Sequence, residues 1–429
     1  MTETRTDPRR VGVVGLGYVG LPLALTMADA GYRVTGVDVD PDRVEQLNAG
    51  ESYVSDVGDA WLRRHTGTGE FEATTDYEAL RGASCVSVCV PTPLRKSGRP
   101  DVSYVVDASE RLAACLSRGS TVVLESTVYP GATEEIIAPM LEEEGFEVGE
   151  DVSVAFSPER IDPGNETYDP VDIPKVLGGV TPRCGDRAEA TYERAFDEVV
   201  RVGSSTEAEL VKLLENTFRS VNIALINELA TVADEMGADI WEVVDAAATK
   251  PFGFMPFYPG PGLGGHCIPV DPMYLSWKAN QHGVRTRFID LADQVNREMP
   301  EHVVRRVSAL LNDDGVALST ADVLVLGASY KPEVSDTRES PALDIISLLA
   351  ERGSTVTYHD PYVPTVEIGE TTYESTELTP DVLRKQDCVL VVTDHDALPL
   401  ERVVEHARLV FDTRNATAGL SDESHVVRL

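Results

Sequence analysis

RRVGVVGLGYVGLPLALTMADAGYRVTGVDVDPDR, residues 9–43, decides the fold. Residues 11–14 read as a short apolar strand. Gly15, Gly17 and Gly20 then mark a turn into an apolar-striped helix. A second strand, YRVTGVDVD, carries Asp38 at its end. Strand, G-x-G-x-x-G turn, helix, strand and terminal acid together make a dinucleotide-binding βαβ segment. The glycines allow the tight turn, the approach of a pyrophosphate to backbone N–H groups, and close helix–strand packing. Tyr18 and Val19 lie inside that turn. Asp38 suits the adenosine ribose hydroxyls and repels a 2′-phosphate, so the expected cofactor is NAD rather than NADP. Asp40 and Pro41 supply an N-cap and a first-turn proline for the next helix, and Arg43 on that helix can reach the adenosine region.

Further strands follow in SCVSVCVPTP (84–93), STVVLEST (120–127) and VSVAFSPER (152–160). Each ends in a polar or proline-rich turn, where ligands bind in a doubly wound sheet. Thr92, Ser126, Thr127, Glu159 and Arg160 are therefore candidates to face cofactor and substrate. Residues 205–236 read as one helix, with Ser205 as N-cap and Gly237 as its end. Its length suits a link between domains and a dimer surface. Lys212, Asn216 and Arg219 form a polar stripe on it.

The last third repeats the α/β pattern. DVLVLGASYKP (322–332) is a strand and a turn, and ESPALDIISLLAERG is a helix with Ser340 as N-cap, Pro341 at its first position and Gly353 past its end. TVTYHDP, CVLVVTD and LVFDTRN are further strands. No G-x-G-x-x-G occurs here, so a second dinucleotide is not expected. Lys331 and Arg338 offer two cations to a phosphorylated ligand. The expected fold is α/β: two Rossmann-like doubly wound domains joined by a long central helix, with boundaries at 1–203, 204–303 and 304–429.

Composition narrows the function. No run of eighteen apolar residues and no apolar leader is present, so a cytoplasmic protein without membrane insertion is expected. The six cysteines show no paired spacing for zinc, and neither metal nor disulfide is expected. Net charge is −35, from 72 acids against 37 bases, of which seven are lysines. Such a field disfavours nucleic acid. Acids spread over the surface suit concentrated salt, which screens their repulsion, so a salt-loving source is expected. One cysteine stands apart. Cys267 sits in PGPGLGGHCIPVDP (259–272), with Asp271 four residues beyond it. His266 adjoins it, but neighbouring side chains rarely face one another, so packing or substrate contact is expected of that histidine.

The motifs GLGYVGLPLA, ESTVYPGAT, FSPERIDPG, ELVKLLENTFR, GPGLGGHCIPVDP and YKPEVSDTRESP occur in this order. Together they resemble the UDP-glucose/GDP-mannose dehydrogenase family over nearly the whole chain. The resemblance implies oxidation of a nucleotide sugar's primary alcohol to a carboxylate with two NAD molecules, in a homodimer. It makes Cys267 the nucleophile, and Lys212, Asn216 and Asp271 the groups that hold a water and stabilise an oxyanion. Glu159 and Thr127 match the pair at the hydrolytic water. Gly15, Gly17, Tyr18, Val19, Gly20, Asp38, Arg43, Thr92, Ser126 and Arg338 match cofactor contacts. Arg160, Lys212, Asn216, Phe257, Tyr258, Gly262, Gly264, Lys331 and Arg414 match substrate contacts. The SPER and FYPGPGLGGHCIPVDP wording is most similar to the UDP-N-acetylglucosamine 6-dehydrogenase branch. UDP-N-acetylmannosamine, UDP-glucose and GDP-mannose stand behind it. The glucose branch carries an arginine upstream of the loop where TKPFGF here has Lys250, which weighs against glucose.

A four-electron oxidation explains the cysteine. The intermediate aldehyde must not escape, and a thiolate retains it as a thiohemiacetal and then a thioester. Lys212 and backbone N–H groups can favour the thiolate, and Lys212 can offset oxyanion charge. Glu159 is the expected base for the final water. A two-electron dehydrogenase would not need Cys267, and a silent NAD- or sugar-nucleotide-binding protein would have no call on Cys267, Lys212 and Asp271.

Overall fold

The computed structural model describes residues 7–54, 57–95, 98–160, 170–420 and 424–429. The chain forms two compact units, Met1–Glu215 with Met273–Val284, and Asn216–Pro272 with Arg285–Leu429. It therefore passes from one to the other after Glu215, after Pro272 and after Val284.

The first unit holds strands β1 (Asp7–Val14), β2 (Arg33–Val37), β3 (Phe71–Thr74), β4 (Ala83–Val88), β5 (Thr121–Leu124), β6 (Ser153–Phe156), β7 (Lys175–Gly179) and β8 (Val199–Arg201). They lie in the order β3-β2-β1-β4-β5-β6-β7-β8. The chain reverses its direction of winding between β1 and β4, the switch point where doubly wound sheets bind dinucleotides. Val14 pairs with both Val37 and Val88, so Gly15 leaves the sheet at its carboxyl edge. The central strands β5, β6 and β7 are buried at every position, as expected of a sheet covered on both faces. β7 joins antiparallel to β6, and β8 runs parallel to β7.

The second unit holds β9 (Asp322–Leu326), β10 (Thr355–His359), β11 (Thr365–Ile368), β12 (Thr371–Glu374), β13 (Cys388–Val391), β14 (Val410–Asp412) and β15 (Val426–Arg428). Five of these form a parallel sheet ordered β10-β9-β13-β14-β15, while β11 and β12 form an antiparallel pair. Its first turn repeats that of the first unit. Gly15 N–H donates to Val37 O (2.7 Å) and Gly327 N–H to His359 O (2.8 Å), each glycine at φ +88°. Leu16 N–H donates to Asp38 Oδ2 (2.9 Å) and Ala328 N–H to Asp360 Oδ2 (2.7 Å). The two aspartates differ in what else they hold. Buried His395 places Nε2 3.1 Å from Asp360 Oδ2.

The long helix runs Ser205–Met236, and Gly237 closes it at φ +67°, with Ala238 N–H donating back to Ala233 O (2.9 Å). Its cap is Ser204, not Ser205 as expected. Ser204 Oγ accepts from Glu207 N–H (3.4 Å), while Ser205 lies inside the helix and donates to Glu134 Oε1 (3.0 Å). Asp40 and Ser340 cap their helices as expected. Among the described residues, no helix is long and apolar enough to cross a membrane.

Candidate active site

The glycine turn of the first unit has a ligand's requirements written into it. Gly15 needs its left-handed φ. A Cβ on Gly20 would lie 1.8 Å from Gly15 O, so the close packing of helix on strand demands glycine there. A Cβ on Gly17 would meet nothing in the protein within 4 Å. Packing therefore does not explain Gly17, and a ligand approaching the backbone does. The helix Gly20–Asp29 begins after half-buried Val19, whose side chain cannot cap it. Its first N–H groups thus suit a pyrophosphate.

Asp38 accepts from Leu16 N–H through one oxygen and from Asp40 N–H (3.1 Å) through the other. Carboxylate oxygens have further lone pairs, which suit ribose hydroxyls. Tyr53, which sequence reasoning missed, donates to Leu16 O (2.7 Å) and lies beneath Arg43 at 5.1 Å. Burial pushes its hydroxyl pKa well above the usual tyrosine value. Tyr18 is half exposed beside this turn. These residues fit NAD.

The other sheet-edge residues of this unit are also in place. Thr92 O accepts from Tyr274 Oη (2.8 Å), and buried Ser126 donates to Val88 O (3.3 Å). Thr127 is half-buried in the turn after β5. The remainder of that turn is held by buried Glu209, which accepts from Gly131 N–H, Thr133 N–H and Thr133 Oγ1. Burial raises its carboxyl to about 7, against three donors that favour the anion. Lys212, three residues along the same helix, donates to Glu159 O (2.6 Å). Arg160 pairs with Glu215 (2.7 Å) and donates to Pro174 O (2.7 Å). Residues 161–164 of the FSPERIDPG motif lie outside the described residues.

The cysteine loop belongs to the second unit, and its glycines have a structural cause. A Cβ on Gly264 would lie 2.5 Å from Tyr330 Cβ and 2.8 Å from Glu339 O. Gly262, at φ +132°, abuts Pro341, and Gly265 N–H donates to Arg338 O (2.9 Å). The loop is thus seated on the segment that carries Lys331 and Arg338. Gly260 rests on the Arg414 guanidinium, whose Nε donates to Val392 O (2.8 Å), and its N–H donates to Asn227 Oδ1 (2.9 Å). Asn227 in turn donates to Asn296 Oδ1 (3.0 Å). Both asparagines were missed. Their only signal was an amide on an otherwise apolar helix face.

Cys267 is half-buried, and its carbonyl accepts from Val270 N–H (3.2 Å) and Asp271 N–H (2.8 Å), opening the turn into helix Asp271–Gln281. Asn216 Nδ2 donates to buried Asp271 Oδ2 (2.5 Å), which joins two of the sequence-derived candidates. Phe257 packs edge-on against Phe218, and Tyr258 stacks on Trp241 with its hydroxyl donated to Asp245 (2.8 Å). These aromatics anchor one end of the loop. Arg338 is held by Asp336 through Nε (2.9 Å) and Nη2 (2.5 Å). Against its partial burial, the Arg338 guanidinium holds the Asp336 carboxyl below the usual carboxylate range, and exposed His266 adds a little to this. Lys250 Nζ lies 5.2 Å above the exposed Phe252 ring.

A doubly wound sheet, an uncapped glycine-opened helix at its switch point and an acid just past β2 define a dinucleotide-binding domain suited to NAD. Comparison with known proteins is more specific. Family models described as the NAD binding, central and UDP binding domains of one family match residues 9–196, 206–298 and 324–419. A UDP-N-acetyl-D-mannosamine dehydrogenase from Methanococcus maripaludis is 33% identical over 95% of this chain and 93% of its own. A UDP-N-acetyl-D-glucosamine 6-dehydrogenase from Pseudomonas aeruginosa is 38% identical over 82% of this chain and 83% of its own. Among solved structures, a UDP-D-ManNAc dehydrogenase from Pyrococcus horikoshii superposes with a TM-score of 0.89 at 32% identity, covering 98% of each chain. The chain belongs to the UDP-glucose/GDP-mannose dehydrogenase family.

Proposed function

We propose that this protein oxidises the C6 alcohol of a UDP-sugar to the uronic acid in two successive oxidations, with UDP-N-acetylglucosamine as the substrate. One observation carries the reading: Asn216, on the long helix, donates to Asp271, which lies four residues beyond Cys267 at the end of a loop seated on Tyr330 and the Arg338 backbone. A two-electron dehydrogenase has no use for that cysteine. The relatives' names support a 2-acetamido sugar, and the glucosamine and mannosamine forms differ only in configuration at C2.

The Gly15–Gly20 turn and Asp38 would hold NAD, which would supply the hydride acceptor for each oxidation. Cys267 adds as thiolate to the aldehyde carbon, giving a thiohemiacetal that is oxidised to a thioester. Asn216, Asp271 and Lys212 hold the water, and the Lys212 ammonium offsets the charge of the tetrahedral oxyanions. Glu159, with Thr127, serves the water that releases the acid. Lys331 supplies positive charge for the diphosphate and Arg414 reaches the sugar, while Arg338 serves the cofactor, as the family likeness implies.

Counting NADH against limiting sugar nucleotide, in concentrated potassium chloride with excess NAD, tests this directly. Two NADH per UDP-N-acetylglucosamine are expected. One per sugar would defeat the thioester route. None, with two from UDP-N-acetylmannosamine, would keep the mechanism and change the sugar.

The protein is further proposed to be a cytoplasmic homodimer, with its parts divided at 203 and 303. An exposed apolar row on the long helix supports the dimer: Leu210, Leu214, Phe218, Leu225, Leu229, Val232 and Met236. Placing carboxylates there by L225E with L229E should raise the dimer dissociation constant at least about a hundredfold. Light scattering across a dilution series reads this, and an unchanged dimer would place the interface elsewhere.

A further inference from the structure

β7 is buried at every position, yet its first residue is a lysine. A buried ammonium costs several kcal/mol unless closely paired. Lys175 Nζ donates to Glu125 Oε2 (2.6 Å) and to Glu159 Oε2 (2.9 Å), with Pro158 O at 3.5 Å. The Glu125 side chain has no exposure, and its other oxygen accepts from the Tyr192 hydroxyl. Tyr192 Oη lies 2.9 Å from Ser87 Oγ. Burial pushes the Glu125 carboxyl and the Tyr192 hydroxyl upward, while the two carboxylates raise the Lys175 ammonium despite its burial.

A continuous polar row therefore runs Ser87–Tyr192–Glu125–Lys175–Glu159 through the core of the first unit. It ends on Glu159, whose side chain keeps 13% exposure. The second Glu159 oxygen accepts from Arg160 N–H (2.7 Å), and its main-chain carbonyl accepts from Lys212. Two of the chain's seven lysines thus hold one glutamate, one at the side chain and one at the backbone. Glu125, itself held by Tyr192, already gives Lys175 a buried counter-charge. The additional bond to a loop carboxylate at the ligand edge of the sheet points to function.

We propose that Lys175 is a positioning residue for hydrolysis: it holds the Glu159 carboxylate anionic and in one orientation, while Glu125 and Tyr192 fix Lys175 from behind. The proposal rests on Glu159 being the base that serves the thioester. In that step water oxygen bonds to the thioester carbonyl carbon, and one water proton passes to Glu159. The C–S bond breaks with its electron pair leaving on the Cys267 thiolate. The acid formed loses its remaining proton to solvent, and no hydride moves.

The double variant K175M/E125Q removes the cation together with the buried charge it compensates. Rapid-quench kinetics should show the NADH burst of the oxidation half intact. Steady-state turnover should fall about tenfold or more, because a base displaced by an ångström loses much of its effect. Intact-protein mass spectrometry should show the sugar acid accumulating on Cys267, and E159Q should do the same. If the double variant does not fold, the isosteric E125Q alone should give a smaller split of the same kind.

Burst and turnover falling together would make Lys175 purely structural, and neither falling would give it no role. If E159Q accumulates thioester while K175M/E125Q turns over normally, the Lys175 assignment alone is overturned. Wild-type protein yielding one NADH per sugar, or E159Q hydrolysing at the wild-type rate, overturns the role of Glu159 and that of Lys175 with it.

Discussion

Cys267→Ser should retain the fold and lose at least about a thousandfold in turnover, about 4 kcal/mol of transition-state stabilisation. The fold survives because the loop does not depend on the sulfur. The Cys267 carbonyl makes the turn bonds to Val270 and Asp271, and the loop is held through Gly260, Gly262, Gly264 and Gly265. The chemistry fails because a serine hydroxyl is almost wholly protonated at neutral pH and cannot capture the aldehyde as a thiolate does. A melting curve checks the first half of the expectation. The second needs the NADH count and the mass of the protein after mixing with substrate. A serine variant that still made two NADH per sugar would remove Cys267 from the reaction, whatever its surroundings.

Gly20→Ala should destabilise the first unit by about 3 kcal/mol, the upper part of the range for overpacking, lowering its melting temperature by roughly 6–12 °C. The clash is with backbone: a Cβ would lie 1.8 Å from Gly15 O and 3.1 Å from Cys89 Cβ, and neither can rotate away. Gly17→Ala should behave in the opposite manner. Open space surrounds that position, so melting should hardly move while NAD binding weakens. Measuring both properties on both variants separates a packing glycine from a ligand glycine. Equal melting losses would show that Gly17 also has a structural task.

What could be read from the chain was what local chemistry encodes. The βαβ turn, the Asp40 and Ser340 caps and the full span of helix Ser205–Met236 follow from residues within a few positions of each other. The candidate pair Asn216–Asp271 came from family likeness rather than periodicity, and the structure brings the two together. Long-range electrostatics were invisible. Lys175 meets partners 50 and 16 residues away, and nothing in PKVLGG marks the lysine as inward-facing. Nothing local in PGPGLGGHCIPVDP shows what its glycines pack against. Gly260, Gly262, Gly264 and Gly265 lie against Arg414, Pro341, Glu339 and Tyr330, all distant in sequence. The cap at Ser204 was missed by one residue, because adjacent serines offer the same signal.

The repeated turn bears on redesign of cofactor preference. Asp38 and Asp360 perform the same carpentry, each tying the first peptide after its glycine, although only Asp38 lies in the NAD-binding half. In the other half His395 already occupies that carboxylate, so the joint persists where it offers ribose no free face. An aspartate at this place is thus a fastening before it is a selector. An engineer who swaps Asp38 for a neutral or basic residue to admit a 2′-phosphate removes the acceptor of Leu16 and Asp40 in the same stroke. The exchange must bring a new acceptor with it.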